Sequence, residues 1–184
     1  MIGAISLETI SKAKNGDTQV LTQLYEKHRL SVFRYFFYQV GDKHAAEDLT
    51  SEVFVRMLGS IENYRPRTVP FEAWLFKIAR NLVADYYRGK KHVHQLPLDE
   101  NTPNADDAVT TTVESQLTSE RLVNAMGSLN QSQREVIIFR FVNRLPINQV
   151  AKMMNKSENS IKGLQRRALL SLRETLTDGE VKDV

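Results

Sequence analysis

Lys162, Arg166 and Arg173 fall on one side of a 3.6-residue helical wheel, while Ile161, Leu164, Ala168 and Leu172 fall on another. An apolar stripe seats a helix on its domain, and cations facing away from it attract the phosphates of duplex DNA. Gly163 lies beside the cationic stripe, where it costs ~1 kcal/mol relative to alanine and permits close approach to a backbone. A second cationic face occurs earlier in the chain. Lys77, Arg80, Asn81, Ala84 and Arg88 share one side of a helix, with Trp74 a turn before Lys77 and Tyr87 beside Arg88. Cations interleaved with aromatic rings suit single-stranded nucleic acid, whose exposed bases stack at ~1–3 kcal/mol each. The same two rings also suit a domain core. The loop before this helix, 59–70, carries Asn63, Tyr64, Arg65 and Arg67 and is marked by Pro66 and Pro70. Such a loop can form a pocket for a base drawn out of the stack.

A third constellation has different chemistry. The segment AAEDLTSEVFVRML places Glu47, Asp48 and Glu52 near a helix start, where acids favour the helix dipole by ~0.3–1 kcal/mol each. Leu49, Val53, Phe54, Met57 and Leu58 make that helix apolar over more than one face. One face feeds a core, and the remainder is available to a partner helix.

The elements that must carry these residues read as helices almost throughout. Asn15-Gly16 ends a first short helix and Asp17 caps a second, Thr18 to about Gln39. Its Leu21, Leu24, Tyr25, Val32, Phe36 and Val40 lie near one face. Gly41-Asp42 repeats the stop-and-cap signal before a third helix to about Leu58. A fourth, Phe71 to about Arg88, presents Phe71, Leu75, Ile78, Leu82 and Tyr86 to the core. The stretch from Gly89 to about Thr112 is acidic, contains Pro97 and Pro103, and is too poor in large apolar side chains to offset the entropy of ordering. Helices resume near Val113. Asn130 to Gln133 resembles a capping box for a helix from Gln131 to about Val142. A helix-turn-helix pattern follows from Pro146, with Asn155 at the left-handed turn position and Ser157 as the second cap. The tail from Thr177 is expected to fray. No alternating strand pattern of useful length occurs, so the predicted fold is all-α: two small helical domains, 1–90 and 115–184, joined by a flexible acidic linker, 91–114.

Charge supports this division. The formal net charge is only +3, yet residues 96–120 hold six acids and no lysine or arginine, while both flanking segments are net cationic. There is no cysteine, which excludes disulfides and thiolate metal sites and fits a reducing compartment. The N-terminus lacks a signal-peptide core and no stretch approaches a membrane span, so a soluble cytoplasmic protein without membrane insertion is expected. Four histidines, at 28, 44, 92 and 94, show no HExxH spacing. No phosphate-binding glycine loop or nucleophile elbow is present, so neither an enzyme nor a cofactor or metal is expected. A ligand-sensing helix-turn-helix regulator or a pure interaction module accounts for part of the pattern. The former leaves the Trp74 helix and the acidic third helix unexplained, and the latter leaves the basic stripe unexplained.

In three segments and in order, the chain resembles the extracytoplasmic-function (ECF) group of bacterial RNA polymerase sigma factors of the sigma-70 family. AAEDLTSEVFVRML resembles the helix that grips the polymerase clamp, FEAWLFKIARNLVADYYRGKK resembles the promoter-melting segment, and LNQSQREVIIFRFVNRLPINQVAKMMNKSENSIKGLQRRALLSLRETL resembles the C-terminal DNA-binding domain. The resemblance implies a factor that binds core RNA polymerase and directs initiation at promoter DNA, monomeric when free and open to control by an anti-sigma factor. It places Glu47, Asp48, Leu49, Glu52, Phe54 and Arg56 toward the polymerase. At the -10 element it places Asn63, Tyr64, Arg65, Trp74, Lys77, Arg80, Asn81, Tyr87 and Arg88, with the 59–70 loop holding a flipped base. At the -35 element it places Ser160, Lys162, Gly163, Arg166, Arg167 and Arg173. The acidic linker would thread toward the polymerase cleft. Pro146 and Asn155 stand where the family has a small N-cap and a glycine, and both are compatible with the motif.

Overall fold

The computed structural model describes residues 5–66, 69–93 and 121–180. Most of the expected linker, the renewed helix near Val113, Arg67 and the last four residues lie outside that range. Every element is helical among the described residues: α1 (Leu7–Lys14), α2 (Thr18–Val40), α3 (Lys43–Ser60), a 3-10 turn (Ile61–Asn63), α4 (Phe71–Val93), α5 (described over 121–127), α6 (Gln131–Ile137), a π turn (Ile138–Val142), α7 (Ile147–Met154) and α8 (Glu158–Glu180).

Local chemistry sets most of the boundaries. Asp17 Oδ1 accepts from the Val20 N–H at 3.1 Å and Asp42 Oδ1 from the Ala45 N–H at 2.8 Å, capping α2 and α3. Gly41 ends α2 in the left-handed region, φ 73°, and returns its N–H to Phe37 O. A Cβ there would also come within 3.3 Å of Val123 on α5, so glycine serves both the turn and the approach of the second domain. Asn130 and Gln133 form the expected capping box, and Asn155 takes the left-handed turn at φ 53°. Three boundaries differ from expectation. Helix α4 continues past Arg88 to Val93, and α8 continues through Glu180 rather than fraying at Thr177. The helix expected to reach Val142 is α only to Ile137 and then widens, with Asn143 N–H donating to Ile138 O. Residues Glu135 to Phe139 are all buried, which an amphipathic α-helix against one surface cannot achieve.

The reason is that α6 and the π turn lie between two cores. Leu24, Val32, Phe36, Val53, Met57, Leu75 and Ala79 fill the bundle of α2, α3 and α4, while Met126, Leu129, Val136, Val150, Ile161 and Ala168 fill the second bundle. The two meet through Phe139. Its ring stacks on Tyr35 at 5.4 Å with 6° between planes and meets the edge of Phe76 at 5.1 Å. Burial raises the Tyr35 phenol well above its ordinary pKa, and the neighbouring Glu135 carboxylate adds to the shift. Arg134 Nη1 donates to Gln39 O at 2.9 Å and Asn143 Nδ2 to Ser31 O at 3.3 Å. The first helix of the helix-turn-helix, α7, packs on α4.

Candidate nucleic-acid interface

Helix α8 carries its cations where the wheel puts them. Ile161, Ala168 and Leu172 are buried and Leu164 is half-buried, while Ser160, Lys162, Arg166, Arg167 and Arg173 are exposed. Ser157 Oγ accepts from the Ser160 N–H at 3.2 Å, so the exposed start of the helix is held by its cap. A Cβ on Gly163 would stand 3.6 Å from the Arg167 guanidinium, an ordinary contact, so nothing among the described residues demands glycine there. Arg173 lies further along, beside an open groove floored by Ile147, Leu169 and Leu170 and rimmed by Arg140 and Lys162.

Helix α4 divides its cationic face. Lys77, Asn81 and Arg88 are exposed, with Arg88 paired to Asp85. Arg80 is turned inward, its Nε donating to Glu135 Oε1 at 3.0 Å. The Glu135 side chain is 1% exposed and also accepts from the Tyr35 hydroxyl at 3.4 Å. Tyr87 remains partly exposed but donates its hydroxyl to Gln39 O at 2.5 Å. Trp74 is half-buried, with its ring 4.9 Å from Tyr64 and 5.6 Å from Phe71.

Two expected contact residues are in the core instead. Tyr64, expected in an exposed loop, is 3% exposed and donates its hydroxyl to Val69 O at 2.9 Å, bracing the loop from within. Burial raises its phenol pKa, with Glu72 adding to the shift. Asn63 and Arg65, on either side, point to solvent. Phe54, expected to face a partner, is 6% exposed and meets the edge of Tyr25 at 4.7 Å. Both follow from one fact: an aromatic ring beside an unfilled core gains more from burial than from water. The outward face of α3 carries Glu47, Asp48, Val55 and Leu58, with Leu49 and Glu52 half-buried. Val55 is 62% exposed and had no periodic signal of its own. Arg56 bonds Glu52 at 2.7 Å and reaches Asp85 of α4 at 3.5 Å, so it ties two helices together.

Helical periodicity gives Glu135 no functional place, although a lone carboxylate ahead of the apolar run Val136 to Phe139 is the signal that finds it. Among the described residues, the buried polar atoms without a protein partner are His28 Nε2, Gln39 Nε2, Glu135 Oε2 and Asn143 Oδ1. The last three belong to residues at the junction of the two bundles.

Two helical bundles, one bearing a cationic helix-turn-helix and the other a cationic helix with adjacent aromatic rings, define a two-domain nucleic-acid-binding protein. The family model for Sigma-70 region 2 matches residues 24–93, and that for Sigma-70, region 4 matches residues 125–174. The chain is 34% identical to the ECF RNA polymerase sigma factor BldN of Streptomyces coelicolor, covering 94% of this chain and 66% of that protein. It is 32% identical to the ECF RNA polymerase sigma factor SigX of Bacillus subtilis, covering 86% of this chain and 88% of that one. CnrH, solved with the cytosolic domain of CnrY, shares the fold at a TM-score of 0.72 and 20% identity, over 92% of this chain and 96% of that one. RpoE of Bartonella quintana, solved with the anti-sigma factor NepR, shares it at 0.65 and 18%, over 85% and 96%. The chain belongs to the ECF RNA polymerase sigma factors, which serve promoter-specific transcription initiation.

Proposed function

We propose that this chain binds core RNA polymerase through the outward face of α3 and reads promoter DNA with its two cationic helices. It does so as a binding factor, without chemistry of its own, and in the cytoplasm. Asp48, Glu52, Val55 and Leu58 supply the polymerase contact: an acidic and apolar strip on a helix whose opposite side is buried. Lys162, Arg166 and Arg167 with Ser160 address the -35 element in the major groove. Lys77, Asn81 and Arg88 hold the -10 strand, Trp74 offers the partly open ring, and Asn63 and Arg65 flank the pocket for a displaced base. Phosphate contacts give register and affinity, and base contacts specify.

The observation that carries this reading is the clean division of α8, with its cations all exposed and its apolar stripe all or partly buried. A protein partner of the anti-sigma kind, such as the one bound to RpoE of Bartonella quintana, fits the open groove beside Arg140 and Arg173, whose apolar floor and cationic rim suit an acidic amphipathic helix.

Each unstacked base costs a few kcal/mol, so a domain of this size does not open DNA unaided. Joining two modules makes the second contact intramolecular and adds polymerase binding energy. Gel shifts and transcription from a mapped promoter with and without core enzyme test the proposal. Specific complexes and transcripts are expected only in the presence of core. Equal specific affinity for the free chain would contradict it.

A further inference from the structure

Lys14, the last residue of α1, reaches across to the loop that follows α3. Its Nζ donates to Glu62 O at 3.1 Å and to Tyr64 O at 2.8 Å. These carbonyls belong to the peptide groups immediately before Asn63 and Arg65. A carbonyl fixed in direction fixes the plane of its peptide, and with it the starting angle of the next side chain. Both carbonyls lie at the open end of a 3-10 turn, where a cation is favoured by the unpaired oxygens and by the dipole. Arg65 Nη1 adds a third donor, bonding Glu62 O at 3.0 Å.

The rest of α1 is built to hold the ammonium there. Ser6 caps the helix by accepting from the Thr9 N–H at 3.0 Å, and Ile10 and Ala13 are buried. Asn15-Gly16, with Gly16 at φ 77°, turns the chain directly into the Asp17 cap of α2. Lys14 is therefore anchored on both sides, half-buried, and separated by about fifty residues in sequence from the carbonyls it clamps. From below, Tyr64 is already fixed by its hydroxyl bond to Val69 O and by its ring against Trp74 and Phe71. The Arg65 guanidinium hangs from Glu62 O, one of the two carbonyls that Lys14 clamps, so Lys14 fixes the backbone ahead of Asn63 and Arg65 and the anchor of the Arg65 side chain as well.

We propose that Lys14 is a positioning residue for base selection: by clamping the peptides ahead of Asn63 and Arg65, it sets the direction in which those two side chains meet the displaced -10 base. This rests on the assignment of the loop as the base pocket. Lys14 touches no DNA in this arrangement, and its effect is on discrimination rather than on binding strength as such.

The test uses holoenzyme reconstituted with the full chain and a promoter series carrying each of the four bases at the -10 position that the wild type discriminates best. Initiation rates give a preference ratio, alongside core affinity and thermal midpoint. Lys14→Met, which keeps the length and removes the donors, is expected to lower the ratio about fivefold to tenfold, because small misplacement of a contacting group is strongly felt. Core affinity and dependence on the -35 element should stay at the wild-type level. Lys14→Arg, which restores a cationic donor, should recover most of the ratio, and Lys14→Gln, with a shorter and uncharged amide donor, should fall between. A wild-type ratio in Lys14→Met and Lys14→Gln, or a loss of rate that is equal for all four bases, overturns the inference. Asn63→Ala and Arg65→Ala, made in parallel, separate the two levels of the argument. If neither alters the ratio, the loop is not the base pocket; if they alter it and Lys14→Met does not, only the role of Lys14 fails.

Discussion

The cationic faces of α4 and α8 are alike in sequence and unlike in the folded chain. Each spaces lysine and arginine at helical intervals opposite an apolar stripe. On α8 the cations are all exposed, where they can meet phosphate. On α4 the central arginine is committed inside the molecule to Glu135, and Tyr87 is held by Gln39. The junction that holds Arg80 is well packed in its aromatic centre, where Phe139 meets Tyr35 and Phe76. Its polar shell is not fully satisfied: Gln39 Nε2, Glu135 Oε2 and Asn143 Oδ1 are buried without protein partners. The lesson is that helical spacing does not by itself decide presentation: α8 shows all its cations to solvent, whereas α4 gives its central arginine to Glu135 across the junction of the two bundles.

Breaking the Arg80–Glu135 pair has the largest expected effect. Arg80→Ala strands a buried carboxylate, which costs ~3–5 kcal/mol while the bundles stay together. Opening the junction relieves that cost by returning Glu135 to water. Small-angle scattering of the free chain should therefore show a larger radius of gyration for Arg80→Ala, and no change for Lys77→Ala on the exposed part of the same face. An unchanged radius in both would remove the contrast between the two helices. On the α8 side, Lys162→Ala with Arg166→Ala should lower -35-dependent initiation by holoenzyme roughly 100-fold. A base-reading side chain is worth about 1–3 kcal/mol, and each phosphate no longer neutralised lowers the salt slope by roughly 0.9. The scattering profile of the free chain should not respond.

Acid should act on the N-terminal bundle more than on the C-terminal one. His28 is 2% exposed beside Phe71, and burial, with a smaller contribution from nearby Lys27, lowers its pKa from the ordinary 6.5 to about 4. Between those values the unfolded chain binds the proton and the folded chain does not. This contribution to stability is thus complete above pH 6.5 and is lost as the pH falls through that window. By pH 5 the loss is about 2 kcal/mol, readable as a lower thermal midpoint for an N-terminal-domain probe such as Trp74 fluorescence. His28→Leu should flatten the dependence. The smallest effect belongs to the helix-turn-helix turn: Asn155→Ala forces an alanine to φ 53° and should cost ~1 kcal/mol in a melt, whereas Asn155→Gly should cost nothing.

The sequence by itself determined where the helices lie and which way α8 faces. Asp17, Gly41, Asp42, Asn130 and Asn155 act within a few residues of their own positions, so caps and turns are legible without knowledge of the rest. The stripe of Ile161, Ala168 and Leu172 is likewise local, since one wheel contains both its buried and its exposed sides. Only the tertiary structure decided that Tyr64 and Phe54 turn inward, that five consecutive residues from Glu135 to Phe139 are buried, and that Arg80 has a partner fifty-five positions away. The clamp of Lys14 on Glu62 and Tyr64 belongs to the same group. In each of these the partner is supplied by a distant segment, and helical periodicity reports which residues share a side without reporting what the fold brings against it.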